Sequence, residues 1–523
     1  MTHGRTVGVA LRSGRRWSRW AGGVLVGLIG PTFPMPAQET PYGATSPLRL
    51  CCAPTVGWTS AQDTVPGLLR MARLMAAHDA LPTTWRRYGV QSWRQAGAWR
   101  QPQDAAATQE LMVVADGGQA AGRWRLWGQA TFGRQREEDV RWRNQSAPSL
   151  SSVYVWADSV GGTFRSDRLG LAAALVSPAW RGITLALPVD YGLGQGARRN
   201  DPRPLYRRRV AELSPSLRWQ VGAHQFGVGA VAGWHREDLE IGGGISGDVP
   251  VVFRLRGIAT FDRTQLISAE RAVLGGVVGA QGGYAWQSSK WVVATGVTLR
   301  LERDSVRDGT AAPVNGGQTQ RARGDWRMAV RRHRARGGTE LAMLAQQERA
   351  RGRDPVFAAV NATNAGQRVQ VTTAWWEGGT RPLASWTWSV DAAWHTLERR
   401  DVAAETRWRA TRWPVTVRGG HRWQQANQGW LLDVGVSHDA VTSAFRDALR
   451  TTRLTPILTD ADYAVVGAPT YGGQVMLAWD RVRNNALASR VSLSGTARQT
   501  TGMLFDGRRA LSAHRITLMV EFY

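Results

Sequence analysis

The chain has 523 residues, among them 26 Trp and 59 Gly, with a formal net charge of +26 and a mean hydropathy of −0.31. No window of about 18 apolar residues occurs, which excludes a transmembrane helix and leaves strands as the only route into a bilayer. The basic residues are almost all Arg, with Lys290 the single lysine, and they are spread along the chain rather than gathered into a module, which argues against nucleic acid as a partner.

Arg5, Arg12, Arg15, Arg16 and Arg19 precede a short apolar run from Trp20 to Ile29. That order is the basic region and apolar core of an export signal, so residues 1–38 read as a signal peptide. Residues 39–62, rich in Pro, Thr, Ser and Gly, read as a linker. Cys51 and Cys52 are adjacent and follow Arg49, a cation where lipid attachment wants a small residue, and two neighbouring thiols do not make a metal site. From Thr64 to Ala80, Leu68, Leu69, Met71, Ala72, Leu74 and Met75 form an apolar stripe beside Arg70 and Arg73, the pattern of a short amphipathic helix. A second helix is expected over Ala105–Met112. The segment 39–120 is thus a linker with an N-terminal helical plug or periplasmic element.

From about residue 121 to Tyr523 the period changes to two. Strands are expected near 123–133, 162–177, 181–194, 206–222, 224–238, 271–287, 290–305, 319–335, 337–352, 366–378, 383–399, 403–424, 429–441, 472–484, 487–500 and 513–523, about 16 in all. Short turns alternate with long polar connections, except for a short one at 400–402. This is the asymmetry of a transmembrane antiparallel β-barrel, all-β, with short periplasmic turns and longer outer loops. Pro250–Phe261 alternates too: it makes either a hairpin inside the 239–270 loop or a wall strand, which would bring the count to about 18. At the end of the chain Ile516, Leu518, Val520 and Phe522 share one face, and Thr517, Met519 and Glu521 share the other. A terminal aromatic in such a phase is the tail that the barrel-assembly machinery reads, although here Tyr523 trails Phe522 by one.

The faces follow from the cost of placing a cation against hydrocarbon, about 2–4 kcal/mol near the bilayer midplane. Trp386, Trp388, Val390, Ala392 and Trp394 are assigned to lipid, and Thr387, Ser389, Asp391 and His395 to the lumen. Trp291, Val293, Val297, Leu299 and Leu301 likewise face out, with Thr298, Arg300 and Glu302 inside. Pro414 interrupts the alternation: Trp408 and Ala410 share one phase and Val415 and Val417 the other, so a bulge is expected there.

No HExxH, CxxC, P-loop or GxSxG pattern is present. Arg218, Arg300, Arg327, Arg331, Arg490 and Arg498 are the candidate lumen residues, either pairing with carboxylates or forming a basic lining for an anionic small molecule. Asp190, His235, Glu302 and His395 fall near the outer ends of lumen-facing positions, the residue types that activate water or hold a metal if they converge. In Asn200-Asp201-Pro202-Arg203-Pro204 the prolines fix φ, and Asp201 and Arg203 either lock the loop or meet a ligand.

Tyr154-Val155-Trp156-Ala157-Asp158-Ser159-Val160-Gly161-Gly162 and Gly194-Gln195-Gly196-Ala197-Arg198-Arg199-Asn200-Asp201-Pro202-Arg203-Pro204 resemble segments of an uncharacterised family of bacterial outer-membrane β-barrel proteins about 500 residues long. The resemblance implies a single barrel in the cell outer membrane and carries no assigned substrate or functional residues. The expected function is a porin-like channel or uptake component with a polar, Arg-rich lumen, no cofactor and outer-membrane lipid around it. The alternatives are a non-conducting surface or receptor-partner barrel whose loops bind, and an outer-membrane hydrolase using the rim His and carboxylates.

Overall fold

The computed structural model of the protein describes residues 84–146, 153–242, 251–265, 268–309, 312–335, 337–377, 386–425, 427–483, 486–500 and 512–522. The signal segment 1–38, the amphipathic stretch Thr64–Ala80, Cys51 and Cys52 lie outside the described residues.

In chain order the strands are β1 (Thr84–Gly97), β2 (Ala107–Ala121), β3 (Trp124–Glu138), β4 (Tyr154–Ala157), β5 (Phe164–Val176), β6 (Ile183–Arg198), β7 (Arg203–Leu213), β8 (Ser216–Val221), β9 (His224–Gly242), β10 (Val251–Arg256) and β11 (Phe261–Gln265). They continue as β12 (Ser268–Gln287), β13 (Trp291–Asp308), β14 (Val314–Arg334), β15 (Gly337–Arg353), β16 (Val360–Glu377), β17 (Trp386–Asp401), β18 (Thr406–Gln425), β19 (Gln428–Ala448), β20 (Thr470–Arg483), β21 (Ala486–Thr500) and β22 (Ser512–Phe522). A π-helical turn (Thr455–Asp460) and the short helix α1 (Ala461–Gly467) precede β20.

Every wall strand pairs antiparallel with its neighbours, and β22 returns to β1 with Tyr88 opposite Phe522 and Gly97 opposite Ala513. The sheet is therefore closed, and its backbone has no free edge to satisfy in hydrocarbon. β7 and β8 are two halves of one wall strand between β6 and β9, interrupted at Ser214-Pro215 where proline has no N–H to give the ladder. Counted so, the wall has 18 strands.

That count corrects the expectation of about 16, and the two added strands are not the ones the 250–261 passage suggested. They are β1 and β2, so the wall begins at Thr84 rather than near 121, and the helix expected over Ala105–Met112 is the start of a strand. Residues 251–256 form β10 of a separate three-stranded sheet, paired with β11 and β4.

The expected faces are found. Trp291, Val297, Leu299 and Leu301 are exposed on the outside while Thr298 and Arg300 are buried inside, and Ile516, Leu518 and Phe522 are exposed on β22. Pro414 needs no bulge in its own strand. Trp408 and Ala410 point inward, where they are fully covered, and Val415 and Val417 point to lipid, so β18 keeps one phase throughout. The register shift lies on β19, where Thr411 faces Ser443 and Arg412 faces Val441, leaving Thr442 as the extra residue.

Both ends of the wall and the short turns lie at one end of the barrel. At the opposite end the segments 139–146, 153–163, 251–265 and 449–469 fold together into a cap. Trp156, Val252, Phe164, Tyr206, Leu239 and Ile241 form one buried cluster of this cap against the tops of β5, β7 and β9. Trp142, Val155, Leu255, Leu454 and Leu458 form a second. Trp408 and Ala410 of β18 pack on Tyr463 and Val466 of α1 in another.

Candidate functional site

The cap is fastened to the wall by carboxylates that are out of water. Asp158, in the turn after β4, accepts a 2.6 Å hydrogen bond from Nη2 of Arg198 at the end of β6, and both side chains are 0% exposed. The same carboxylate accepts from the backbone N–H of Val160 and Gly161 at 2.9 and 3.3 Å, which holds the turn. Arg198 also donates to the Pro202 carbonyl at 2.8 Å and lies over the Phe164 ring. The two stretches that carry the family resemblance thus meet at this pair.

A second fastening is Asp401 at the top of β17. It accepts from the backbone N–H of Ala259 (3.0 Å) and Thr260 (2.7 Å), from the Thr260 hydroxyl (2.7 Å) and from the N–H of Ala404 (3.2 Å). The β10–β11 turn comes so close that a Cβ on Gly257 would lie 2.2 Å from Asp401 Oδ2, so only glycine fits. Arg256 donates to Asp354 at 3.0 Å and to Asp262 at 2.9 Å, and Arg271 grips Asp308 at 2.6 Å beneath the Trp156 ring.

The third fastening is α1. Asp462 accepts from Gln101 Nε2 at 2.5 Å and from Arg399 Nη1 at 2.8 Å, and Thr459 donates to the Ile258 carbonyl at 2.7 Å. Burial pushes the carboxyl groups of Asp462 and nearby Asp104 above the usual range, against the pull of Arg399 on the first and of the Gln101 backbone on the second. At Asp139 burial acts the same way, but Arg141 and Arg100 prevail and hold it below that range. A cavity of about 50 Å3 lies between cap and wall beside Gln101, Leu255, Arg399 and Asp462. That is space for about three or four waters and too little for a solute.

Below the cap the inner wall is polar and closely ion-paired. Arg300 pairs with Glu212 across two intervening strands, passing over the glycines that β9 and β12 present there. Arg331 pairs with Glu340 at 2.5 Å, Arg490 with Asp480 at 2.7 Å, and Asp480 also holds Arg422. Arg218 donates to Gln220 at 2.5 Å. Arg327 faces the lumen on β14 in the phase of Asp325 and Arg331, and Arg498 stands near Asp439 and Arg412. In the outer loop Arg203 Nε meets Asp201 Oδ1 at 2.9 Å.

The four residues considered for chemistry are spread around the wall. His235 Nε2 meets Asp304 at 3.0 Å over Gly275, whose Cβ would lie 2.1 Å from the imidazole. Glu302 pairs with Arg321 at 3.2 Å. Asp190 on β6 and Glu302 on β13 are four strand spacings apart, roughly 19 Å, and His395 on β17 lies about as far again in the other direction. They do not converge. Among the described residues, no group of three or more His, Cys, Asp or Glu is placed to hold a metal. Sequence reasoning missed Asp158, Arg198 and Asp401, whose partners are distant in the chain. The local hint was Asp158 followed by Gly161 and Gly162, a turn that aims backbone N–H groups at a carboxylate.

A closed antiparallel wall with an apolar exterior, a polar interior and folded loops across one mouth defines an outer-membrane-type β-barrel. The chain belongs to the family of unknown function DUF6850, which matches residues 85–523. No curated protein matches it in sequence. Among solved structures it is similar to the ferric yersiniabactin uptake receptor FyuA from Yersinia pestis (9% identity, TM-score 0.42, covering 85% of this chain and 81% of that one). It is also similar to BauA, the ferric preacinetobactin receptor from Acinetobacter baumannii (6%, 0.37, 85% and 80%), and to the siderophore receptor PiuA from the same organism (9%, 0.39, 83% and 81%).

Proposed function

We propose that the protein is a gated uptake component of the outer membrane, rather than an open pore, with passage controlled by its cap. The observation that carries this reading is the pairing of a wide polar lumen with a mouth filled by packed loops. A wall of 16–18 strands encloses enough room for an aqueous channel, and the lumen-facing Asp190, Gln281, Arg327 and Asp391 are only partly covered. A barrel serving as an anchor alone would need no such interior. Because Arg300, Arg331, Arg422 and Arg490 face carboxylates, discrimination between ions rests on the local balance at each pair rather than on a uniformly basic lining.

The test is planar-bilayer recording of the full chain and of Asp401→Ala, which removes the acceptor of three cap hydrogen bonds. The wild type should be closed most of the time and the variant should give discrete steps. A variant that keeps the heat-modifiable gel migration of a folded barrel yet stays silent would sink the gated reading in favour of a non-conducting barrel that binds through its loops.

A further inference from the structure

The lipid-facing side of the wall carries its own charged feature. On β13 the outward residues Trp291, Val293, Val297, Leu299 and Leu301 make an apolar run, and directly beyond it toward the capped end stand Arg303 and Arg307. On β15, two strands away, Leu341, Met343 and Ala345 give way to Arg349, Arg351 and Arg353. All five arginines are exposed, and the strand between them presents Gln318, Gln320 and Ala322. Arg303 and Arg351 both flank Gln320, which puts their Cα atoms about 10 Å apart, and successive arginines of β15 are about 6.7 Å apart.

Elsewhere on the outer rim several wall arginines have carboxylate partners, while the exposed Arg165, Arg209 and Arg400 have none among the described residues. Arg134 meets Asp167 at 2.9 Å, Arg136 meets Glu138 at 3.1 Å, Arg236 meets Asp238 at 2.8 Å and Arg407 meets Glu398 at 3.0 Å. In the β13–β15 sector no carboxylate faces outward beyond the apolar band. Glu270 on β12, the nearest acid facing the same way, forms no ion pair with Arg307, and none of the five arginines has a carboxylate partner among the described residues.

We propose that this sector is a binding site for the phosphate groups of outer-leaflet lipid. The site's height, at the border between the apolar band and the capped end, is where headgroups lie. Guanidinium groups suit phosphate because they offer two parallel N–H donors and remain charged. Free anions in solution would reach the same groups, but the continuous apolar wall beneath them seats the acyl chains of a lipid and gives a free anion nothing. A lipid therefore binds through both halves of the sector.

The test uses the purified full chain in detergent and fluorescent bisphosphorylated lipid A as the probe. Arg349→Gln/Arg351→Gln/Arg353→Gln should weaken binding by about tenfold or more, since each basic residue near an anionic surface adds to the attraction. Arg303→Gln/Arg307→Gln should weaken it independently. The control, Arg134→Gln/Arg136→Gln, removes rim arginines that have carboxylate partners and should stay within about twofold, and dephosphorylated probe should bind all variants alike. Heat-modifiable migration verifies that each variant is folded. Unchanged affinity in a folded triple variant overturns the proposal. So does displacement of the probe by inorganic phosphate at concentrations near those of the lipid, which would mark a general anion site.

Discussion

Replacing Asp158 with Ala isolates the most deeply buried ion pair that fastens the cap. The change leaves Arg198 fully buried, with the Pro202 carbonyl and the Phe164 ring as its named remaining neighbours, and strips the acceptor from two backbone N–H groups. Stranding one partner of a buried ion pair costs about 3–5 kcal/mol. At ~1.4 kcal/mol per decade, that raises the opening equilibrium of the cap by about two to four powers of ten. The wall ladder is untouched, so the cost falls on the cap. Hydrogen exchange of the amides in 153–163 and 251–256 reads this directly, with the wall strands as internal standard. The double variant Asp158→Leu/Arg198→Met removes both charges and should recover most of the loss. If exchange in the cap of a folded Asp158→Ala barrel rose by less than about tenfold, the reasoning would be refuted.

Asp104 and Asp462 carry carboxyl groups raised by burial, so the stability they contribute is fully present below the ordinary carboxylate value of 3.8 and is lost as pH rises through their raised values in the folded cap. Asp139, held low by Arg141 and Arg100, acts in the opposite sense below 3.8. Protection of α1, corrected for the intrinsic rise of amide exchange with pH, should therefore fall as pH is raised above 3.8, and Asp462→Asn, which keeps a partner for Gln101, should flatten that fall. In a cap-opened background, Arg300→Gln removes the cation facing Glu212, which stands opposite Asp190 in the ladder. The reversal potential in a salt gradient should move toward cation preference, and an unmoved potential would place the discriminating step elsewhere. Gly275→Ala drives a methyl into the imidazole of His235 and should separate it from Asp304 at a cost of about 1–3 kcal/mol, seen as a lower midpoint of heat-modifiable unfolding.

The wall strands that could be read from sequence are those whose outward residues are large and apolar over the whole bilayer, as in β13, β17 and β22. β1 escaped because its outward face is Arg86, Tyr88, Val90, Ser92 and Arg94, with cations at both ends and little between them. β2 escaped for the reverse reason: Met112 and Val114 face the lumen, so Leu111–Ala115 is apolar on both sides and loses its period of two. In β4 all four residues are buried, which erases alternation altogether. The lumen arginines were legible because membrane energetics forces cations inward. Their partners were not, since Glu212 and Arg300 are 88 residues apart and nothing local announces the pair. The wall arginines of β15 were visible as residues, but their isolation from carboxylates emerges only once β13, β14 and β16 are set beside them.

The seam between β1 and β22 has a consequence for how the molecule is made. The first wall strand has one neighbour nearby in sequence, and its other neighbour arrives with the last eleven residues of the ladder. Until then, two unsatisfied borders travel with the growing sheet, each a template for pairing with other chains. Removing β22 would therefore yield an unsealed sheet prone to clump, not a slightly narrower cylinder.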